Sequence, residues 1–245
     1  EEEKGEEIAT VLVRELPIKN ADNPFGDKPE DDTTGLGIWC ASLIMAQWVS
    51  SPSMSKVLHD KDVLELGAGC GVPGLAAAVY SRAKSICLTD INPATVKNLQ
   101  HNIDLNQKSL SSSSSHIKMT ARTINWDDKS SYPPGQKYDY ILGSDLIYQS
   151  SLAPLLKKVL SCLLKKKGTF LYVAPVTGRD GLEDFIDLLT SSRKHGGIFQ
   201  LTRKSTAPDE YRCNPLKSGD EADCFLHFGE LRSVEYVLYE FLLLE

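Results

Sequence analysis

Apolar and polar residues alternate along this 245-residue chain in a pattern of short strands and amphipathic helices. Short apolar runs predict strands, and apolar residues that recur every three or four positions predict helices. The predicted strands are 8–13, 63–65, 85–90, 117–124, 138–143, 169–174, 199–203 and 234–242, and the predicted helices are 35–49, 93–103, 152–163 and 182–189. Because strands and helices alternate, we expect an α/β fold, a mostly parallel sheet of about seven strands with helices on both faces.

The segments between these elements suggest how the chain is organised. Residues 1–33 form an N-terminal extension with one short strand, and 34–245 form one domain, which is ordinary for an α/β sheet of this length. A serine-rich tract at 109–115 predicts a flexible surface loop. Three lysines and a glycine at 165–168 predict the end of the preceding helix, where cations and glycine are both favourable.

Composition narrows the classes of partner and compartment. A net charge of −6 argues against a surface that binds nucleic acid through its phosphates. No apolar run is long enough to cross a membrane, and the acidic first residues are unlike a signal peptide. The chain does not begin with Met, so a preceding targeting segment stays open. We expect a monomer in the cytoplasm, and also in the nucleus.

The six cysteines form no C-x-x-C pair, and several lie on apolar strands or helices, which fits reduced thiols. Cys213, Cys224 and His227 match no common zinc spacing, so we expect no metal site.

A glycine-rich turn after the 63–65 strand carries the strongest chemical signal. Gly67, Ala68 and Gly69 follow the strand-end acid Glu65, and further glycines follow at 71 and 74. Glycine lets the backbone bend tightly and lets a ligand approach the main chain. The spacing also satisfies G-x-G-x-x-G, so a nicotinamide dinucleotide remains an alternative to another adenosine-bearing cofactor.

A second acid ends the next predicted strand. Asp90 lies where α/β nucleotide folds place a carboxylate on ribose hydroxyls, and Asn92 with the following proline predicts a helix start. Both acids have a structural alternative, since Glu65 could cap nearby N–H groups and Asp90 could be a helix-entry acid.

Four blocks together resemble the protein-lysine methyltransferase branch of the seven-strand, S-adenosylmethionine-dependent methyltransferases, called methyltransferase family 16. They are the residues 34–39 with Trp39, the E-x-G-x-G-x-G turn from Glu65, the pair Trp126 and Asp127, and the segment 144–148, in that order within 33–175. The resemblance implies a Rossmann-like sheet whose last strand is antiparallel.

The resemblance also implies residue roles. Trp39 lies near the cofactor, Trp126 and Asp127 lie at the adenine, and Asp145 and Tyr148 face the substrate. Trp39, Trp126 and Tyr148 could instead be packing residues, and Asp145 a helix cap.

Ser144 precedes Asp145 directly after the predicted strand 138–143 and is assigned to the cofactor site. Carboxyl ends of strands are where open α/β sheets bind ligands. A carboxylate there can orient a lysine amine, and an aromatic ring can accept cationic character.

We therefore expect an enzyme that uses S-adenosylmethionine to methylate a lysine of a protein substrate. One alternative is a methyltransferase for another nucleophile, such as a protein histidine, a nucleic-acid base or a small molecule. Another is a non-catalytic adaptor that retains the fold. A nicotinamide oxidoreductase fits least, because no Tyr-x-x-x-Lys hydride-transfer pattern is visible.

Overall fold

A seven-stranded sheet forms the centre of the molecule. The computed structural model describes residues 10–18, 32–112, 117–191, 197–219, 224 and 228–244. The strands are β1 (Asp62–Glu65), β2 (Ser85–Asp90), β3 (Lys118–Thr123), β4 (Tyr138–Ser144), β5 (Leu164–Pro175), β6 (Phe199–Thr206) and β7 (Tyr236–Leu243). Their order is β3-β2-β1-β4-β5-β7-β6. β1 to β5 are parallel, and β7 runs antiparallel to both neighbours, which confirms the predicted fold class.

Helices cover both faces of the sheet. They are α1 (Cys40–Ser50), α2 (Pro52–Leu58), α3 (Val72–Ser81), α4 (Pro93–Leu105), α5 (Gln107–Ser112), α6 (Leu152–Leu163) and α7 (Leu182–Thr190). Buried side chains of α1 to α5 form one apolar core, and those of α6 and α7 form the other. Successive strand residues point to opposite faces, so Leu142 belongs to the first core and Ile141 to the second. No helix of the described residues has the length and apolar character needed to span a bilayer.

The first helix begins later than predicted. A 3-10 turn covers Thr34–Leu36, Gly37 is extended, and α1 begins only at Cys40. Trp39 is the residue before the helix, with ψ of 147°, so it lies outside the helix, although the predicted range 35–49 includes it. Its indole Nε1 donates to the carbonyl of Thr34 at 2.8 Å, which holds residues 34–39 as a folded segment of its own.

The lysine run belongs to β5, and the prediction that it ends a helix is wrong. α6 ends at Leu163, and Leu164 is already extended and pairs with Tyr138 of β4. Lys165 binds the carboxylates of Asp62 and Asp139 at 3.0 and 2.8 Å. Pairing with a distant strand therefore overrides the local preference for a helix end.

Two further predictions of local structure also need correction. Ser109 to Ser112 of the serine tract lie in α5, not in a loop, and 113–116 lie outside the described residues. The described part of the 8–13 segment, from residue 10, is not a strand, and 8–9 lie outside the described residues.

Residues 12–14 instead lie along α4, where three asparagines spaced one helical turn apart bind the backbone of Leu12 and Arg14. Asn106 accepts from the N–H of Leu12 at 2.9 Å and donates to its carbonyl at 2.7 Å. Asn102 does the same for Arg14, at 2.9 and 3.2 Å, and Asn98 donates to the same carbonyl at 2.9 Å. Four residues of an α-helix rise about 6 Å, which is close to the rise of two residues of extended chain. Asparagines four residues apart can therefore bind the backbone of every second residue, as a partner strand would.

Candidate active site

The glycine turn joins β1 to α3 through three residues with left-handed backbone. Gly67, Gly69 and Gly71 have φ of 55°, 54° and 79°, a region that residues with a Cβ adopt at a cost. A Cβ on Gly69 would come within 3.3 Å of the Gly35 carbonyl oxygen, so the turn packs closely against the segment before α1. The N–H of Ala68 donates to the carbonyl of Thr89 at 2.8 Å and fixes the turn to the end of β2.

Glu65 is buried, with 1% of its surface exposed, and points into α3. Its Oε2 accepts from the N–H of Gly74 at 2.8 Å. Burial raises the pKa of this carboxyl to about 8, although the Gly74 hydrogen bond lowers it. The contact matches the capping alternative, while a role of Glu65 toward a cofactor stays a prediction.

Asp90 ends β2 beside the glycine turn. Its Oδ2 accepts from the N–H of Gly69 and its Oδ1 from the N–H of Asn92, both at 3.1 Å. Burial raises the pKa of this carboxyl to about 6, against the opposing effect of these hydrogen bonds. Asn92 is the N-cap of α4, as predicted, and its Oδ1 accepts from Ala94 at 2.8 Å.

Residues 32–39 lie over this end of the sheet, and we call them the cover segment. A Cβ on Gly35 would come within 3.2 Å of Asp90 Oδ2 and 3.0 Å of Thr95 Oγ1. Asn92 Nδ2 donates to the carbonyl of Asp32 at 2.6 Å, and Asp32 Oδ1 accepts from the hydroxyl of Thr34 at 2.6 Å. The structure therefore brings the cover segment, which includes Trp39, together with Asp90 and Asn92.

Trp126 and Asp127 follow β3, and their side chains point in different directions. A Cβ on Gly67 would lie 3.8 Å from Cζ2 of Trp126, which places the indole beside the glycine turn. The carboxylate of Asp127 pairs with Lys158 of α6 at 2.9 Å, and its side chain is 71% exposed. Trp126 thus joins the site, whereas Asp127 points to an ion pair on the surface.

The end of β4 carries the predicted substrate-facing residues. Ser144 is its last residue and is half-buried. Asp145 follows with φ of 56°, and its N–H donates to the carbonyl of Val173 at 2.8 Å. Asp145 binds Arg179 through both carboxylate oxygens, at 2.6 and 2.5 Å.

Tyr148 lies three residues after Asp145 and is half-buried. Burial raises the pKa of its phenol, and the nearby carboxylates of Asp32, Asp90 and Asp145 raise it further. A hydrogen bond also links Tyr148 to Asp32. The loop after β4 therefore meets the cover segment and the end of β2.

Sequence reasoning missed two residues of this arrangement. Asp32 holds the cover segment, and Arg179 holds Asp145, but neither belongs to a motif. The sequence gives a weak signal for Arg179 only, which lies between two glycines that follow β5, at the edge of the sheet where ligands bind.

These residues suit an adenosine-bearing cofactor such as S-adenosylmethionine. Thr95 Oγ1 is buried without a hydrogen-bond partner among the described residues, directly beside Gly35 and Asp90. The Asp90 carboxylate can accept from ribose hydroxyls, and the turn at Gly67 and Gly69 presents bare main chain. No group of three metal-binding side chains occurs within the part of the chain that the structure describes.

Comparison with known proteins agrees with this geometry. A family model described as lysine methyltransferase matches residues 26–192. A calmodulin-lysine N-methyltransferase of Arabidopsis thaliana is 28% identical over 78% of this chain and 60% of its own length. The human protein-lysine N-methyltransferase EEF2KMT is 28% identical over 58% of this chain and 45% of its own. The chain thus spans about half the length of these two relatives.

A solved structure shares the fold. A protein from Galdieria sulphuraria, provisionally described as a sarcosine dimethylglycine methyltransferase, superimposes with a TM-score of 0.51 at 18% identity. The match covers 82% of this chain and 85% of that one. The strand order, the acids at the ends of β1 and β2 and the family match over two thirds of the chain lead to one conclusion: this chain belongs to the lysine methyltransferase family.

Proposed function

We propose that this chain transfers a methyl group from S-adenosylmethionine to a lysine side chain of a protein. One observation carries the proposal: β1, with its glycine turn, lies between β2, which ends in Asp90, and β4, which is followed by Asp145. The two carboxylates therefore flank the turn at one edge of the sheet. One can serve a cofactor sugar while the other serves an incoming nucleophile.

The chain's own residues divide into two groups by this arrangement. Asp90 would accept hydrogen bonds from the ribose, with Gly67, Ala68, Gly69 and Asn92 shaping its surroundings. Trp39 and Trp126 would border the adenosine. We assign Glu65 and Ser144 to the same cofactor site in a supporting role, since Glu65 caps the helix that follows the glycine turn. A contact of Asp127 with the adenine stays a prediction, because its carboxylate pairs with Lys158 on the surface.

The second group would hold the acceptor amine. S-adenosylmethionine supplies a methyl group on a positively charged sulfur, which a neutral amine can attack. Asp145 can accept a hydrogen bond from that amine and aim its lone pair, while the ring of Tyr148 can face the developing positive charge. No strong base is required, because the ammonium can lose its proton to water before transfer.

The relatives support a protein as the substrate, since the two described above are named for lysine methylation of proteins. The acidic net charge of −6 favours a protein over a nucleic acid as partner. We further propose a monomer that works in the cytoplasm and nucleus, which light scattering and fluorescence microscopy would test.

Labelled S-adenosylmethionine tests the proposed function directly. The protein is incubated with the label and a cell extract, and the protein, nucleic-acid and small-molecule fractions are counted separately. We expect label on a protein, and peptide mass spectrometry should place the methyl group on a lysine Nζ. Label on a histidine or in another fraction would overturn the substrate class, and absence of cofactor binding in calorimetry would support the adaptor alternative.

A further inference from the structure

Arg179 fixes the Asp145 carboxylate by two hydrogen bonds from a loop 34 residues away in sequence. Its Nε donates to Oδ1 and its Nη2 to Oδ2, while Nη1 donates to the carbonyl of Gly178 at 3.0 Å. Both side chains are mostly enclosed, since Asp145 is 12% exposed and Arg179 is 27% exposed. A two-point pair of this kind determines the orientation of a carboxylate as well as its position.

The pair leaves Asp145 able to bind another donor. An ionised carboxylate has about four lone-pair sites, and Arg179 uses one on each oxygen. The other site on each oxygen remains for a substrate amine. Arg179 can therefore hold Asp145 in place during the reaction, with no need to release it when the substrate binds.

The pair also changes the charge that the amine meets. A lone carboxylate favours the ammonium form of lysine and raises its pKa. This opposes transfer, because only the neutral amine has a lone pair to form the new carbon–nitrogen bond as the sulfur–carbon bond breaks. The guanidinium of Arg179 stays charged at every relevant pH, since its hydrogen bonds to Asp145 raise its pKa further. The net charge of the pair is zero.

The phenols around the pair carry no charge at neutral pH. Within the described residues, the tyrosines on which the Asp145 charge acts are Tyr148 from its own loop, Tyr172 from β5 and Tyr236 from β7. Burial raises the pKa of all three phenols, so they are neutral. The carboxylates of Asp32 and Asp90 also act on Tyr148, and within the described ranges Arg179 is the one cation paired with Asp145.

We propose that Arg179 is a positioning residue for methyl transfer, which aims the Asp145 carboxylate and cancels its charge so that the bound lysine amine stays neutral. This inference rests on the proposed function of Asp145. It assigns to Arg179 an effect on the pH at which the enzyme works, which a merely structural ion pair would not have.

The pH dependence of two variants tests the inference. Initial rates of tritium transfer from S-adenosylmethionine to the protein fraction of a cell extract are measured at saturating cofactor from about pH 6 to pH 10. For Arg179→Met we expect a rate about tenfold lower at pH 7, which recovers at high pH because the acidic limb moves up by about one unit. Arg179→Lys keeps the positive charge but loses the two-point hydrogen bond to Asp145. The acidic limb of its pH profile should therefore stay near that of the wild type, while its maximal rate falls.

Matched controls separate the possible failures. Lys84→Met removes one cation from a surface pair with Asp62, at the opposite edge of the sheet, and should leave the rate and its pH profile unchanged. An Arg179→Met enzyme that is folded, binds cofactor and loses the same factor at every pH would overturn the inference, as would one that gains activity, which would make the pair an inhibitory lock. Failure of the proposed function shows differently, because the wild-type protein itself would then label no lysine.

Discussion

At the scale of single residues, two carboxyls of the site are unusual because their pKa values are shifted toward neutral pH. Glu65 and Asp90 end adjacent strands, and burial raises the pKa values of both. Each carboxyl accepts backbone N–H groups, which favour the ionised form but do not outweigh desolvation. Their titration therefore gives two measurable effects, one on cofactor affinity and one on stability.

Cofactor affinity should depend on the charge of Asp90. We expect the affinity for S-adenosylmethionine to fall as the pH falls through about 6, because the protonated carboxyl is a poorer acceptor for ribose hydroxyls. Asp90→Asn should bind about tenfold to a hundredfold more weakly above pH 7, for hydrogen bonds worth roughly 1.5–3 kcal/mol, and should lose this pH dependence. Calorimetric titration checks both.

Asp104→Asn is the matched control for Asp90→Asn, because that carboxylate lies on the exposed side of α4 and contacts Gln100. Its affinity and pH profile should equal those of the wild type. If Asp90→Asn also had the affinity and pH profile of the wild type, Asp90 would not belong to the cofactor site.

Stability should depend on the charge of Glu65. Its pKa is about 8 in the folded protein against 4.5 for the ordinary group, so between these values the folded state holds a proton that the unfolded state has released. The free energy of unfolding should therefore fall as the pH rises through this window, by up to about 1.4 kcal/mol per unit.

Glu65→Gln cannot ionise and keeps an acceptor for Gly74. Urea unfolding at about pH 5 and pH 8 should show the variant gaining stability relative to the wild type at the higher pH. Parallel pH profiles for the two proteins would mean that Glu65 is ionised in the folded state.

At the scale of elements, α4 links the N-terminal segment to the site. Its asparagines bind residues 12 and 14, and the chain then continues to Glu15, which accepts from the N–H of Ile38 at 2.7 Å, and to Leu16, which donates to the carbonyl of Leu36 at 2.9 Å. Asn92 at the start of the same helix binds Asp32. The cover segment is thus held to α4 from both directions.

Removal of one asparagine should weaken this link. Asn102→Ala deletes the partners of the Arg14 N–H and of the Cys70 carbonyl, which Asn102 contacts at 3.0 Å, and leaves buried polar groups unsatisfied. We expect a loss of about 2–4 kcal/mol in the free energy of unfolding. Gln100→Ala, on the exposed side of α4, should change it by less than about 0.5 kcal/mol. Equal effects would mean that the contacts of Asn102 with Arg14 and Cys70 contribute no stability.

Elements set by local pattern could be predicted from the sequence, and those set by distant contacts could not. α4 begins as expected because Asn92 and Pro93 supply the cap and first turn within the helix itself. β5 begins five residues early because Leu164 pairs with Tyr138. Leu12 and Arg14 are not in a sheet because asparagines about ninety positions away satisfy their backbone. No local pattern reveals such partners.

At the scale of the whole molecule, the sheet order creates the site. β1, β2 and β4 are adjacent and parallel, so the residues that follow them meet at one edge. For this reason the chain's own order was enough to predict that Gly67, Asp90 and Asp145 belong together. Arg179 could not be found in this way, because its role depends on the geometry of a pair across two loops.

The most direct test of the role of Asp145 in methyl transfer is the transfer rate of Asp145→Asn, measured with cofactor affinity and thermal midpoint on one preparation. Asn tolerates the left-handed backbone at this position and keeps one acceptor for Arg179, so the fold should survive. We predict loss of most transfer to lysine with cofactor affinity nearly unchanged. Transfer at the wild-type rate would contradict the substrate-orienting role of Asp145, and joint loss of affinity and stability would make Asp145 a structural residue instead.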